Sequence, residues 1–520
     1  MTARSFRVRK SEKPHLHSCF ASTVQSPMPS PYICTSCIRA LRKPLRIAIT
    51  DNGCVKRTYI RPTFAPKPVM DLKSIRRSPG LFEQNCIDRN YKPYAKNGWK
   101  ILKIHEELVA LQKRAVEVRQ RNNALAKDLK SAGQGEKAGL IEKAGALKDE
   151  LAGYERTEKQ MQEEMEQLAL ELPNLSSLNT PVGDQPEVLR HLDGPKPQHG
   201  RSHVDIGRDL DLLDFEASAT TSGWGWYFLK NEAALLEQAL VQYALSVAMK
   251  RGWQVMAPPS LVYSHIASAC GFMPRDQNGE TQIYSVAQEA GSEKASLVLA
   301  GTAEIPFAGS QANKTLAENS LPLKVIGASR SYRAEAGARG VDTKGLYRVH
   351  EFTKVEMFAW AAPPAPSSDQ LGESESEQLQ AEQVFEEMVS IQMEILTALG
   401  LHARILEMPT TDLGASASRK VDIEAFFPSR TAIDEGYGEV TSASICTDYQ
   451  ARRLNTKVKF AHEESKAAFA HTVNGTAMAV PRVVAALLEN GWDGETRTVT
   501  IPACLRKWMP GEIGSIAAKS

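Results

Sequence analysis

The sequence predicts an α+β fold in which a long antiparallel two-helix arm precedes a body of short strands and helices. Three observations point there. An apolar seam with alternating three- and four-residue spacing runs through residues 101–172 and breaks once. Residues 331–358 alternate in polarity on both sides of a loop rich in Gly, Arg and Lys, as paired strands do. Apolar helical periodicity returns over 228–250 and after Val480. The 520 residues suffice for about three domains. Their 42% hydrophobic and 24% charged content is that of a globular chain. Mean hydropathy is −0.33, and no run of about 18 apolar residues occurs, which excludes a helix spanning a bilayer.

The net charge of +2 conceals an uneven distribution. Residues 1–65 hold 12 Lys or Arg against Glu12 and Asp51, a net of +10, which leaves 66–520 at −8. An Arg- and Ser-rich, acid-poor N-terminus is what organelle import reads, so residues 1–66 are expected to be a disordered mitochondrial presequence delivering the chain to the matrix. A basic tail with a nuclear or nucleic-acid role shares that composition. Met70 opens MDLKSIRRSP, and a start there would leave a cytosolic pool of the same body. Cys34 and Cys37 form a CxxC with no second pair at zinc-site spacing. The eight cysteines are scattered, so no disulfide framework is implied and a reducing compartment is expected. On an acidic body, any contact with nucleic acid must come from a local patch.

The arm begins with apolar residues at 101, 104, 108, 111, 115 and 118, then Leu125 and Leu129. After the polar break at 131–139, a second seam runs through Ala144, Leu147, Leu151, Tyr154, Met161, Met165, Leu168 and Leu172, and Pro173 stops it. Residues 99–130 carry eight Lys or Arg against four acids, whereas 140–172 carry four against nine. The basic edge can follow a phosphate backbone, or the two helices can pair electrostatically. Residues 67–178 are taken as the arm-bearing domain, 179–222, rich in Gly and Pro, as linker and entry, and 223–520 as the main body.

That body has no GxxxxGK[ST] and no GxGxxG after a strand, so if it uses a nucleotide the phosphates must be held by side chains. In TAE, Thr302 and Glu304 share a face if the segment is extended. Arg333 and Glu335 share a face of one strand, and Phe352 and Glu356 a face of its partner. Glu439 and Ser442 lie in an extended polar pattern, Asn474-Gly475-Thr476 reads as a polar turn, and Arg482 starts an apolar helix that Gly491 ends. Two arginines with several acids point to an anion and a divalent metal in one site.

Taken in order, these segments resemble one family. RGWQVMAPPSLV around Pro258-Pro259, RAE at 333–335 with GLYRVHEFTKVE, and the Arg482 segment are similar to motifs 1, 2 and 3 of class II aminoacyl-tRNA synthetases. TAE, EVTS, DYQARR and NGT narrow the resemblance to the seryl-tRNA synthetases, and it extends back through DLKSIRRSPGLF, the arm and the PNL and TPVG stretches. The resemblance implies an antiparallel catalytic sheet flanked by helices, a homodimer built on the motif 1 segment, and an arm that grips tRNA(Ser). It implies ATP and Mg²⁺ with L-serine as substrates and cofactor. Arg333, Ala334, Glu335, Phe352, Glu439, Val440, Thr441, Ser442 and Arg482 would bind ATP, with Arg333, Glu439 and Arg482 catalytic and Glu439 and Ser442 on the metal. Thr302, Ala303, Glu304, Glu356, Asn474 and Thr476 would hold serine. The chain departs from the family pattern at Ser444-Ile445-Cys446, usually Ser-Asn-Cys, at Tyr449, and at ACGFMPRD (269–276). A synthetase-derived RNA-binding protein without activity is the rival reading, and retention of Arg333, Glu439 and Arg482 speaks against it.

Overall fold

The structure is a computed structural model that describes residues 65–273, 282–288, 295–335, 345–364, 379–461 and 467–518. The expected presequence and its CxxC lie outside the described residues. Asp71 caps α1 (Leu72–Arg77) by accepting from the Ser74 backbone N–H, and Pro79 opens α2 (Pro79–Asp88). The arm follows as α3 (Asn97–Ser131) and α4 (Lys137–Leu170), each about 50 Å long at 1.5 Å per residue. Ile101, Leu108, Ala115 and Val118 of the expected seam are buried on α3, and on the second side Met165 and Leu172 of that seam are buried together with Ala169, which the spacing did not include. The second helix starts at Lys137, inside the predicted break, because two glycines at 133 and 135 confine the turn to 132–136. Flanking pairs join the helices: Gln112 Nε2 donates to Glu158 Oε1 at 2.7 Å, and Arg119 lies 3.8 Å from Glu155. Such exposed pairs contribute well under 1 kcal/mol each, so the seam and not the charges holds the arm together.

The body is an eight-stranded sheet. In chain order its strands and principal helices are β1 (Glu187–Leu192), α5 (Asn231–Lys250), β2 (Gln254–Val255), α6 (Glu304–Ser310), β3 (Leu323–Tyr332), β4 (Glu351–Ala361), α7 (Gln380–Ala398), β5 (Ala403–Glu407), β6 (Arg419–Phe426), β7 (Tyr437–Thr447), α8 (Tyr449–Leu454), β8 (His471–Ala479) and α9 (Val480–Asn490). The spatial order is β1-β5-β6-β7-β8-β4-β3-β2, antiparallel throughout except for the parallel β2–β3 edge. The edge strand β1 therefore falls within the stretch read as linker.

Alternation along the strands divides the two faces. Val355 and Met357 of β4, Ile405, Ile423, Val440 and Val473 point to one face, where α5, α7 and α9 bury it in the main core. On the opposite face α6 and α8 cover only one end, packing Ile305, Phe307, Ala451 and Leu454 against Phe358 and Trp360. What remains uncovered on that face is a cleft. Ile445, the departure from the family run, is a core-facing residue paired with Val473, so an apolar side chain suits it. Among the described residues no helix is long and apolar enough to cross a membrane.

The base of the arm is bolted to this body by polar groups. Asn174 Nδ2 donates to Ser416 O at 2.9 Å, Cys446 O at 2.9 Å and Thr447 Oγ1 at 3.0 Å. Arg89, 1% exposed, donates to the carbonyls of Asn174 and Gly414. Burial without a carboxylate partner brings its guanidinium down to about 10. Arg453 of α8 donates to the Leu170 and Leu172 carbonyls at 3.2 and 3.4 Å, satisfying acceptors left at the end of α4. Asn174→Ala strands several of these partners and should lower the unfolding free energy by about 2 kcal/mol. A urea midpoint equal to that of the parent chain would show the anchor to be dispensable.

Candidate active site

The cleft is lined by residues from four segments distant in sequence. Arg333 and Glu335 follow β3, Tyr347 to Val349 precede β4, Phe352 and Lys354 lie on β4, Glu439 and Ser442 on β7, Thr476 on β8, and Arg482 on α9. Arg333 is set by its backbone: its N–H donates to His350 O at 2.9 Å, and its guanidinium carbon sits 5.4 Å from the centre of the Phe352 ring. A cation lying over an aromatic ring keeps its donors free for an anion. The strand ends at Tyr332, so Arg333 and Glu335 do not share a strand face as alternation predicted. Glu335 instead turns with φ 46° and receives Arg348 Nη1 at 3.2 Å.

On β7 the expected pair is three residues apart, and a regular strand would send Glu439 and Ser442 to opposite faces. A β-bulge resolves this. Glu424 pairs with Glu439 while Ile423 pairs with Thr441, so Val440 is the extra residue and both Glu439 and Ser442 reach the cleft. The side chains of Val440 and Thr441 do not: Val440 enters the core, and Thr441 Oγ1 donates to Thr476 O. Gly438 is required here, since a Cβ would lie 2.0 Å from the Tyr347 hydroxyl. Arg482 closes the arrangement, with Nη1 donating to Glu439 O at 2.8 Å and Oε2 at 3.1 Å and Nε donating to Tyr347 O at 3.0 Å. Desolvation works to raise the Glu439 carboxyl, but Arg482, Lys420 and Arg333 outweigh it and hold it well below the usual range. Beside them Asp422, opposite Ser442, is raised by burial and is held by Lys420 Nζ at 2.7 Å.

Behind the cleft lies a pocket of buried polar groups. Glu304 does not lie on an extended segment; Ala303 is already helical and Glu304 opens α6, with the Glu304 N–H donating to Thr302 Oγ1 at 3.3 Å. Glu304 Oε1 accepts from Gln450 Nε2 at 2.6 Å and Asn474 Nδ2 at 3.0 Å. Burial, with Glu356 nearby, pushes its carboxyl up to about 7. Asn474-Gly475-Thr476 is not a turn but the middle of β8, where Met388 Sδ and the Ser442 carbonyl lie 3.2 and 3.3 Å from where a Cβ would stand on Gly475. In that register Thr476 faces Glu356 across the β8–β4 ladder. Asn474 Nδ2 also reaches Cys446 Sγ at 3.3 Å. Ala303 is wholly buried, and Ala334 is held through its N–H to Gln282 O at 3.1 Å.

Two charged cleft residues escaped the sequence reading. Lys354 sits between Phe352 and Glu356, its Nζ 2.7 Å from Glu356 Oε2 and 3.3 Å from Thr302 Oγ1. Arg348 enters from the segment before β4. Lys354 obeys the same two-residue period that identified Phe352 and Glu356, so the signal was available. Glu439 and Ser442 together offer a carboxylate and a hydroxyl oxygen, the donor type a hard divalent cation takes. Among the described residues no group of three or more His, Cys, Asp or Glu is arranged to hold a metal, so such an ion would need ligand oxygens as well.

Comparison with known proteins agrees with this architecture. The seryl-tRNA synthetase N-terminal domain model matches residues 69–176, and the class II core domain model for the G, H, P, S and T synthetases matches 284–491. The mitochondrial serine–tRNA ligase of Saccharomyces cerevisiae is 42% identical over 71% of this chain and 77% of its own length. That of Schizosaccharomyces pombe is 36% identical over 88% and 91%. The crystal structure of seryl-tRNA synthetase from Pyrococcus horikoshii complexed with ATP superposes with a TM-score of 0.77 at 28% identity, covering 87% of this chain and all of that one. Identity at this level over most of both chains, with arm and core models matched in order, means that this chain belongs to the seryl-tRNA synthetase family.

Proposed function

We propose that this chain is a serine–tRNA ligase: it activates L-serine with ATP to seryl-adenylate and transfers the seryl group to the 3′ end of tRNA(Ser) for mitochondrial translation. The observation that carries the reading is the convergence of Arg333, Glu439, Ser442 and Arg482 on one cleft that runs down to the buried Glu304–Lys354–Glu356 pocket. Arg333 takes the α-phosphate and Arg482 the γ-phosphate, Phe352 stacks on adenine, and Ala334 and Glu335 with the backbone of Val440 and Thr441 complete the nucleotide site. Glu439 and Ser442 hold Mg²⁺, which supplies charge neutralisation at the phosphates when bound. Thr302, Ala303, Glu304, Glu356, Asn474 and Thr476 hold serine.

The chemistry asks little else of the protein. A serine carboxylate oxygen attacks the α-phosphorus, the bond to pyrophosphate breaks, and the adenylate then gives its acyl group to a terminal ribose hydroxyl with loss of AMP. Alignment and stabilisation of phosphate charge suffice, without a covalent enzyme intermediate. Guanidinium groups suit this because they stay charged and fork onto two oxygens. The basic α3 edge of the arm carries tRNA. The motif 1 segment, with the edge strand β2 and exposed Val255, Leu261 and Tyr263, is the homodimer surface. The basic N-terminus, together with relatives named as mitochondrial, supports residence in the matrix, and Met70 offers a start for a cytosolic pool.

Serine-dependent exchange of pyrophosphate into ATP tests the reading; its absence from the purified chain would favour the non-catalytic rival. Arg482→Ala should lower exchange at least about a hundredfold with the fold retained. Replacing residues 119–155 by a short Gly-Ser turn leaves the base of the arm intact and should spare exchange while cutting tRNA charging severely; equal losses would show that the arm is not a separable tRNA element. The serine ammonium favours an ionised Glu304, so with its carboxyl near 7 the KM for serine should rise about tenfold from pH 8 to pH 6. Glu304→Gln should have a higher KM at pH 8 and a flat profile; a wild-type KM independent of pH would contradict this role.

A further inference from the structure

We propose that Lys354 is a positioning residue that sets the choice of serine over alanine, by holding Glu356 as a carboxylate tied to Thr302 so that it accepts a hydrogen bond from the substrate hydroxyl. The inference rests on the reading of the Glu304–Glu356 pocket as the serine site.

The geometry carries it. Lys354 is 8% exposed and Glu356 1%, so neither charge is shielded by bulk water. Their contact of 2.7 Å is an ion pair, yet Glu356 Oε2 has no aligned hydrogen-bond donor. The ammonium therefore supplies counter-charge while leaving acceptor capacity for an incoming O–H. The second link, to Thr302 Oγ1, joins β4 to the segment that begins α6 and so fixes the Glu356–Glu304 separation. A buried ion pair adds little net stability, because desolvation offsets the attraction, so stability alone does not account for this one at the floor of a cleft.

The charges around Glu356 define what happens without Lys354. On its own strand the facing charge is Lys354. From α6 there is Glu304, whose carboxylate opposes that of Glu356; from the end of β3, Arg333 acts on Glu304; Cys270 and Cys446 also lie near Glu304, and β8 presents the uncharged Asn474 and Thr476. With the ammonium removed, the buried Glu356 carboxyl has no counter-charge beside a second acid and loses the link through Thr302 that fixes it toward the substrate hydroxyl. A carboxyl no longer fixed there gains less from the serine hydroxyl, so alanine loses less by comparison and discrimination falls. The contribution of Glu304 cancels from the comparison, because serine and alanine carry the same ammonium.

The test is the ratio of kcat/KM for serine to that for alanine in pyrophosphate exchange, measured from pH 6 to pH 9 for the wild type, Lys354→Met and Lys354→Arg. The expected wild-type ratio is constant with pH. In Lys354→Met it falls at least about tenfold, whereas Lys354→Arg keeps most of it. Equal loss of kcat/KM for both amino acids at every pH in the Met variant would overturn the proposal, since a merely structural lysine would produce that. If the Met variant fails to fold, judged by loss of a cooperative thermal unfolding transition, Lys354→Gln decides by the same ratio. A wild type without serine-dependent exchange overturns the pocket reading itself; a wild type with exchange and an unchanged ratio in the variants overturns only the role of Lys354.

Discussion

The bulge at Val440, clasped by Arg482, is the constraint on which the cleft depends. Without the extra residue Ser442 would face α7 and the apolar core, where a hydroxyl has no use, and Glu439 would stand alone. With it, an acid and a hydroxyl three residues apart share one face. Arg482 then joins three segments, taking the Glu439 carbonyl and carboxylate and the Tyr347 carbonyl, so the start of α9, strand β7 and the approach to β4 move as one. The clasp also has an electrostatic result: a carboxylate among Arg482, Lys420 and Arg333 stays ionised where burial alone would neutralise it.

The division of labour between the sheet faces follows from the cost of burying charge. One face is largely apolar under three helices, and the few ions there are paired, Arg419 with Glu407 and Lys324 with Glu387. Charges collect on the other face, and each deep one has a partner: Lys354 with Glu356, Lys420 with Asp422, Arg482 with Glu439. The arm is attached to the same region. Asn174 donates to the Cys446 carbonyl, while the Cys446 sulfur meets Asn474, which in turn holds Glu304. A continuous set of polar contacts thus links the base of the arm with the proposed amino-acid pocket.

Much of this was legible in the sequence, because periodicity reports burial directly. The seam through Ile101, Leu108 and Val118 and the shared face of Phe352 and Glu356 follow from spacing alone. What failed did so where local preference was overridden by neighbours. Asn474-Gly475 has turn chemistry, yet sheet pairing on both sides and a close Met388 make it mid-strand. Thr302 to Glu304 looks extended, but Ala303 enters the helical region and α6 begins. A bulge leaves no mark in composition, so the extended polar pattern around Glu439 and Ser442 could not show that the two share a face. Arg89 and Asn174 were invisible because their partners are backbone carbonyls far along the chain.

The central claim is that side-chain cations from distant segments do here what a glycine-rich phosphate loop does elsewhere. Its most direct test is a crystal structure of the chain with a non-hydrolysable seryl-adenylate analogue. The phosphate mimic should lie within hydrogen-bond distance of the Arg333 guanidinium, the adenine against Phe352, and the seryl hydroxyl on Glu356. An analogue bound away from Arg333, or seated with its seryl group pointing out of the Glu304–Glu356 pocket, would contradict it.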